Sequence, residues 1–432
     1  MRMASSLRVL ALMVAGVLSV TLLAAARPDP AEAAHACRIP VTTRLDLGEK
    51  FAGNSSGRST SKYYWATADG STVGQFNQSA NVIMNTFPVG AYPHLLYKRI
   101  GEREAIGSMA QSQTPQALAG IDADFFTFAD IQGTTSIEMA RGPMIADGTP
   151  IRGTYRSLRV VGLDSTMQPY GGELSLRGFV QARTGSAPKI SLRSLNWHSL
   201  LTGGVNVYTP DWSNAKSTTG KVLYPRPAGA VEWVLNARNK VKAVRPAGDP
   251  KLGAPVAAGT RVLAFSSDVA SQVQSISVGT RVRVNIRQST TTGVTLQMAV
   301  GRGLELIRDG KPAPLGCRAY AKTGGAVAAR PRMFVGWDAK GRWRAFVVPG
   351  TKVYLKNGSI LQRDGGLGLA NAANIAKKLG MANAYELDGG GSTSLWTRSG
   401  TTWTRKDLYK MSVQSGCACE RWMSNGLSFL TP

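Results

Sequence analysis

Two carboxylates followed by a run of glycines are the residues of this chain best suited to chemistry. Glu386 and Asp388 stand two apart in Ala384-Tyr385-Glu386-Leu387-Asp388, and Gly389-Gly390-Gly391-Ser392-Thr393-Ser394 follows directly. Read as a strand, the segment puts Glu386 and Asp388 on one face and Tyr385 and Leu387 on the other. The carboxylates are then about 6.6 Å apart along the strand, a spacing for acid–base work or for holding sugar hydroxyls. Three glycines leave backbone N–H groups unobstructed. With the Ser392 and Thr393 hydroxyls, they suit a phosphate or another oxyanion. A tight turn capped by Asp388 is the competing reading of the same string.

Other reactions find less support. Gly390-Gly391-Ser392-Thr393-Ser394 is not a nucleophile elbow, because Ser394 stands where the last glycine is needed. The histidines are His35, His94 and His198, with neither a nucleophile motif nor metal-ligand spacing. No phosphate-binding lysine loop and no HExxH motif occurs. Gly301-Arg302-Gly303 is half a dinucleotide fingerprint without its third glycine. No cofactor is expected, and a metal requirement is left open.

The elements that must position these residues follow from composition and pattern. Of 432 residues, 43% are hydrophobic and 18% charged, and 48 are glycine. That excludes a disordered chain and leaves little material for long salt-bridged helices. The fold class expected is α+β, with β-rich mixed sheets and a few helices packed on them. Short β-branched runs at 158–162, 231–235, 241–244, 261–265, 281–286 and 294–299 read as strands, and 246–259 as a loop. Asp338-Ala339-Lys340-Gly341 reads as the turn of a hairpin joining 333–337 to 343–348. Over 368–379, Leu369, Ala372, Ala373, Ala376 and Leu379 share one helical face. Lys377 and Lys378 occupy the last turn, and Gly380 ends the helix.

The first 36 residues have the form of an export signal. Arg2 and Arg8 precede an apolar run from Leu10 to Ala26, and small residues follow. Cleavage would leave no integral membrane span, and the product would be secreted or associated with the cell wall. Cys37, Cys317, Cys417 and Cys419 all follow this segment, which implies two disulfides. Cys417 and Cys419 are too close to pair with each other, so each joins Cys37 or Cys317, and both connectivities stay open. There are 51 Lys and Arg against 26 Asp and Glu, a net charge of +25, which suits an anionic partner. The basic residues are scattered rather than interleaved with aromatics, so nucleic acid is not the expected partner.

Leu387-Asp388-Gly389-Gly390-Gly391-Ser392-Thr393 after a helix ending Lys378-Leu379-Gly380 resembles the phosphodiester glycosidase family. Other segments agree in order. They are Gly120–Phe126, Glu138–Ile145 with Asp147-Gly148, Ala299–Gly303 with Ile307–Gly310, Arg330–Gly336, and Glu420-Arg421 through Leu427. The resemblance spans roughly 100–432. With the signal pattern, the chain divides into a signal over 1–36, a β-rich extension over 37–100 and a phosphodiester glycosidase-like domain over 101–432. It departs from the family's usual Asn at Asp122 and Glu386. What it implies is a hydrolase that cleaves the bond between a sugar C1 and a phosphodiester oxygen, the sugar being an N-acetylhexosamine in a wall or extracellular phosphoglycan. Asp388 would be the catalytic carboxylate and Arg332 the phosphate clamp. Glu386 and Asp124 are further catalytic candidates. Asp122, Gly389, Gly390, Gly391, Ser392 and Thr393 would bind substrate. A non-catalytic module that holds an anionic wall polymer is the alternative.

Overall fold

The structure is a computed structural model that describes residues 41–51, 54–66, 72–99, 102–130, 136–184, 187–212, 229–254, 256–313, 331–348, 351–354, 360–364, 368–406 and 422–432. The segment read as an export signal and all four cysteines lie outside these residues.

Strands dominate, and three large sheets hold most of them. In the eight-stranded sheet the order is Val41–Phe51, Asn54–Ala66, Thr72–Thr86, Trp343–Val348, Arg332–Asp338, Met381–Gly389, Glu305–Arg308 and Lys311–Pro312. The strand Met381–Gly389, which carries Glu386 and Asp388, is therefore internal, between Arg332–Asp338 and Glu305–Arg308. The N-terminal strands are continuous with this sheet, because Thr72–Thr86 pairs with Trp343–Val348 in register Val347↔Ile83. A five-stranded sheet orders Thr402–Arg405, Leu395–Ser399, Ala119–Asp122, Asn425–Leu430 and Tyr92–Tyr97. An eleven-stranded sheet contains Leu296–Gly301, Leu158–Asp164 and Thr149–Thr154. Its pairings are antiparallel except that of Ile190–Leu195 with Val205–Tyr208. The β-rich architecture with few helices is the one expected.

Individual elements follow their local chemistry. The hairpin between Arg332–Asp338 and Trp343–Val348 forms with Trp337 opposite Trp343. The Asp338 carboxylate accepts from the Lys340 and Arg342 amides at 2.9 and 3.0 Å, and Gly341 takes φ +73° to close the turn. The helix Leu369–Lys378 starts after Gly368 and stops at Gly380, whose φ is +72°. Its Leu369, Ala372, Ala373, Ile375 and Ala376 pack on Phe334, Phe346, Leu306 and Ala384. A six-residue helix, Ile106–Gln111, was not expected from the sequence; it is too short to show a periodic face.

The main core lies where the three sheets meet. Ile121, Val161, Val300, Met333, Val335, Trp343, Tyr385, Leu387, Leu427 and Phe429 belong to it. Tyr385 and Leu387 thus face the core, as the alternation requires, and Glu386 and Asp388 point from the opposite face. Each sheet contributes a strand that ends or bends near one place, and the polar residues gather there.

Candidate active site

Asp388 is the penultimate residue of the Met381–Gly389 strand, and its amide donates to the Ala123 carbonyl at 2.7 Å. That bond joins two sheets and brings the next residue of the other segment, Asp124, within electrostatic reach of Asp388. The Asp124 amide donates to Asn425 Oδ1 at 3.1 Å. Its carboxylate lies in a notch between Gly142 and Gly301. The Gly142 amide donates to Asp124 Oδ2 at 2.5 Å, and a Cβ on Gly301 would come within 2.6 Å of both carboxylate oxygens. Only glycine fits there, since no real Cβ approaches so closely.

Burial lifts the Asp124 pKa to about 7, with a smaller push from the Asp388 charge. The Gly142 hydrogen bond and the Arg152 and Arg141 charges oppose this rise. Arg152 is fully buried; it stacks 4.5 Å from the Trp197 ring and donates to the Asn196 carbonyl at 2.8 Å. It lies 3.4 Å from His198 Nδ1, and burial and the Arg152 charge depress the His198 pKa to about 4.

Glu386 has a different setting from Asp388. Arg332 Nη1 donates to Glu386 Oε1 at 2.6 Å, both side chains being almost fully buried. The Leu304 amide donates to Oε2 at 3.3 Å. Burial raises the Glu386 pKa and Arg332 pulls it back. Arg332, expected as a phosphate clamp, has its charge met by Glu386, and Glu386 serves as that counter-ion.

The glycine turn is tighter than an open anion site. The Gly389 amide donates to its neighbour Asp388 Oδ1 at 2.7 Å, and the Gly390 amide donates to the Pro331 carbonyl at 2.9 Å. Two of the three glycine amides expected for an oxyanion are therefore committed within the protein. Gly390 requires its glycine, with φ +66°, and Gly390–Ser392 forms a single 3₁₀ turn. Ser392 and Thr393 behind it are buried. Asp122 is fully buried, and its Oδ1 accepts from the Ser394 amide at 2.7 Å, fixing the end of this turn.

Asp124 lines an open cleft of about 440 Å³. The cleft also carries Arg141, Arg159, Glu173 and Arg302, residues that sequence reasoning did not single out. The available signal was the pair of glycines around Arg302, set aside as half a fingerprint. Asp388 does not itself line this cleft; it stands near the strand end, within electrostatic reach of Asp124, which does. Among the described residues no group of three or more His, Cys, Asp or Glu is placed to hold a metal ion, and no helix is long and apolar enough to cross a membrane.

Residues 230–430 match the model of the phosphodiester glycosidase family. The chain is similar to the phosphodiester glycosidases. The matched segment contains Arg302, Arg332, Glu386, Asp388, the glycine turn and Asn425, whereas Asp122 and Asp124 precede it. Among solved structures, a Synechocystis protein aligns over 92% of this chain and 68% of its own, at 18% identity and a TM-score of 0.60. A Burkholderia pseudomallei protein aligns over 91% and 98%, at 17% identity and a TM-score of 0.61. These two likenesses establish a shared fold. The catalytic domain of zebrafish N-acetylglucosamine-1-phosphodiester α-N-acetylglucosaminidase, auto-inhibited by its pro-peptide, aligns over 90% and 89%, at 14% identity and a TM-score of 0.39. No curated protein matches the chain.

Proposed function

We propose that the protein is a secreted hydrolase that cleaves a sugar-1-phosphodiester between C1 and the phosphodiester oxygen. The observation that carries this reading is the pairing of Asp388 with Asp124, a carboxylate raised to about 7 on the wall of an arginine-lined cleft. Two neighbouring carboxylates with different environments can divide the work, one ionised and one protonated. Asp388, beside the cleft and within electrostatic reach of Asp124, takes the ionised role toward an anomeric centre held at that edge, as nucleophile or as base for water. Asp124 carries the proton. As the C1–O bond breaks, its electron pair stays on the phosphodiester oxygen and a phosphomonoester leaves. That leaving group is a weak base, so a proton from Asp124 assists rather than decides, and charge stabilisation in the cleft matters more. Support for the substrate class comes from the family match, and for secretion from the N-terminal signal pattern and the cysteines after it. A wall or extracellular phosphoglycan bearing an N-acetylhexosamine fits the net charge of +25.

The test is release of sugar and phosphomonoester from a panel of sugar-1-phosphodiesters. Turnover by wild type and a loss of at least about a thousandfold in a folded Asp388→Asn variant are expected. Near wild-type turnover by that variant would return Asp388 to the role of turn cap. Phosphoglycan binding without turnover by wild type would favour a binding module.

A further inference from the structure

We infer that Arg302, aided by Arg141, is the side chain that grips the phosphoryl group of the substrate. This rests on the proposed function for the identity of the substrate, but the site is argued from its own geometry. Gly301-Arg302-Gly303 is a strap threaded between the two buried acids. A Cβ on Gly301 would strike the Asp124 carboxylate, and one on Gly303 would come within 2.6 Å of Glu386 Oε2. The Gly303 amide donates to the Glu386 carbonyl at 2.8 Å, and the Arg302 amide to the Arg159 carbonyl at 3.2 Å. The backbone of Arg302 is thus fixed on both sides.

Its side chain is fixed as well. The guanidinium lies 4.3 Å from the centre of the Tyr385 ring. Arg302 Nε donates to the Val160 carbonyl at 3.1 Å and Nη1 to the Gly303 carbonyl at 3.2 Å. Tyr385 is held in turn against Gly171, where a Cβ would come within 2.0 Å of the phenol oxygen. Among the described residues no carboxylate forms an ion pair with Arg302, and no protein acceptor takes its Nη2. A partly buried guanidinium with no directly paired carboxylate is costly; burial lowers its pKa, and the charges of Glu305 and Glu173 offset this only from a distance. An anion in the cleft relieves that cost. Arg141 and Arg159 line the same cleft, and Glu173 offsets only part of their charge. Arg332 differs in kind, because its charge is answered by Glu386 inside the protein.

A rigid arginine that keeps one edge of its fork for a ligand is built to bind phosphate oxygens. The ligand class is a phosphate mono- or diester monoanion, presented beside Asp124. Arg302 touches substrate; Tyr385 acts through it, as a positioning residue.

The experiment is calorimetric titration of inorganic phosphate and of dimethyl phosphate at low salt, with the folded state checked by circular dichroism. Wild type is expected to bind both, and Arg302→Gln to bind at least about tenfold more weakly, as loss of a charge-assisted hydrogen bond requires. Arg283→Gln removes an equal charge from a strand outside the cleft, and should stay within twofold of wild type. Tyr385→Phe keeps the ring and should bind normally, whereas Tyr385→Leu should lose affinity with no change of charge. If Arg302→Gln does not fold, Arg302→Lys supplies the test, and an at least threefold loss is expected because a point charge replaces the fork. No phosphate binding by wild type, binding by the Arg302 variants within twofold of it, or an equal loss in Arg283→Gln would overturn the assignment. Phosphate binding by wild type that depends on Arg302, together with no turnover of any sugar-1-phosphodiester, would retain the site and remove the hydrolase reading.

Discussion

Asp124 shows how much a single residue's surroundings can decide. The carboxylate is 2% exposed, pinned by the Gly142 amide and close enough to Asp388 to feel its charge. Its folded pKa of about 7 lies above the value of about 3.9 for an unfolded Asp. The sign follows directly: the native state holds this proton more tightly than the unfolded chain. Stability from this group is fully present below about pH 4 and is lost as pH rises through about 7. The loss is on the order of 4 kcal/mol. Asp124→Asn cannot ionise, so its denaturant midpoints at pH 5 and pH 8 should differ much less than those of wild type. Equal differences in the two proteins would refute the raised pKa. The rate profile carries the second consequence. If Asp124 donates the proton, kcat/KM, which reports ionisations of the free protein, falls above about pH 7 in wild type, and Asp124→Asn lacks that limb. A profile that keeps its limb in the variant would assign the proton to another group.

At the scale of elements, glycines at strand ends set the site. A Cβ on Gly301 would lie 2.5 to 2.6 Å from the Asp124 carboxyl atoms, with the Leu296–Gly301 strand unable to retreat from Leu158–Asp164. Gly301→Ala should therefore displace Asp124 rather than simply fill space, costing about 1–3 kcal/mol of stability. Activity on sugar-1-phosphodiesters should fall at least about tenfold. A stable Gly301→Ala protein with wild-type kcat/KM would show that the notch around Asp124 has no part in the reaction. Much of this level was legible in the sequence. The hairpin turn at Asp338, the helix ending at Gly380 and the alternation of Glu386 and Asp388 all rest on local chemistry that a sequence displays. The pairing of Asp124 with Asp388 was not visible. It depends on one hydrogen bond between sheets, from the Asp388 amide to the Ala123 carbonyl, across more than two hundred residues of chain. The commitment of Arg332 to Glu386 was hidden for the same reason, since it depends on which strands lie side by side. The three glycines read as a cradle of open amides, and the structure uses them differently. They permit a tight turn that holds Asp388, and two of their amides are used in making it.

The whole molecule adds a field to these local arrangements. With 51 basic and 26 acidic residues the chain carries a net charge of +25, far more than one cleft needs. Such a field raises the encounter rate with an anionic substrate, and salt weakens it because the Debye length shortens from about 30 Å at 0.01 M to about 8 Å at 0.15 M. The contact made by Arg302 is partly buried and is screened less. The two contributions can therefore be separated on one protein. For an anionic sugar-1-phosphodiester, kcat/KM should fall by about tenfold or more between 0.01 and 0.3 M salt, while kcat changes little. An uncharged aryl glycoside of the same sugar feels no such attraction, so its kcat/KM should stay nearly flat. Arg302→Gln should lower the curve for the anionic substrate at every salt concentration yet keep almost the same slope, because the remaining net charge still supplies the field. A salt slope equally steep for the uncharged glycoside would mean that ionic strength acts on the protein's stability or on the chemical step, and would remove long-range attraction from the account. A slope abolished by the single Arg302 substitution would mean that the cleft, and not the molecule's charge as a whole, gathers the substrate.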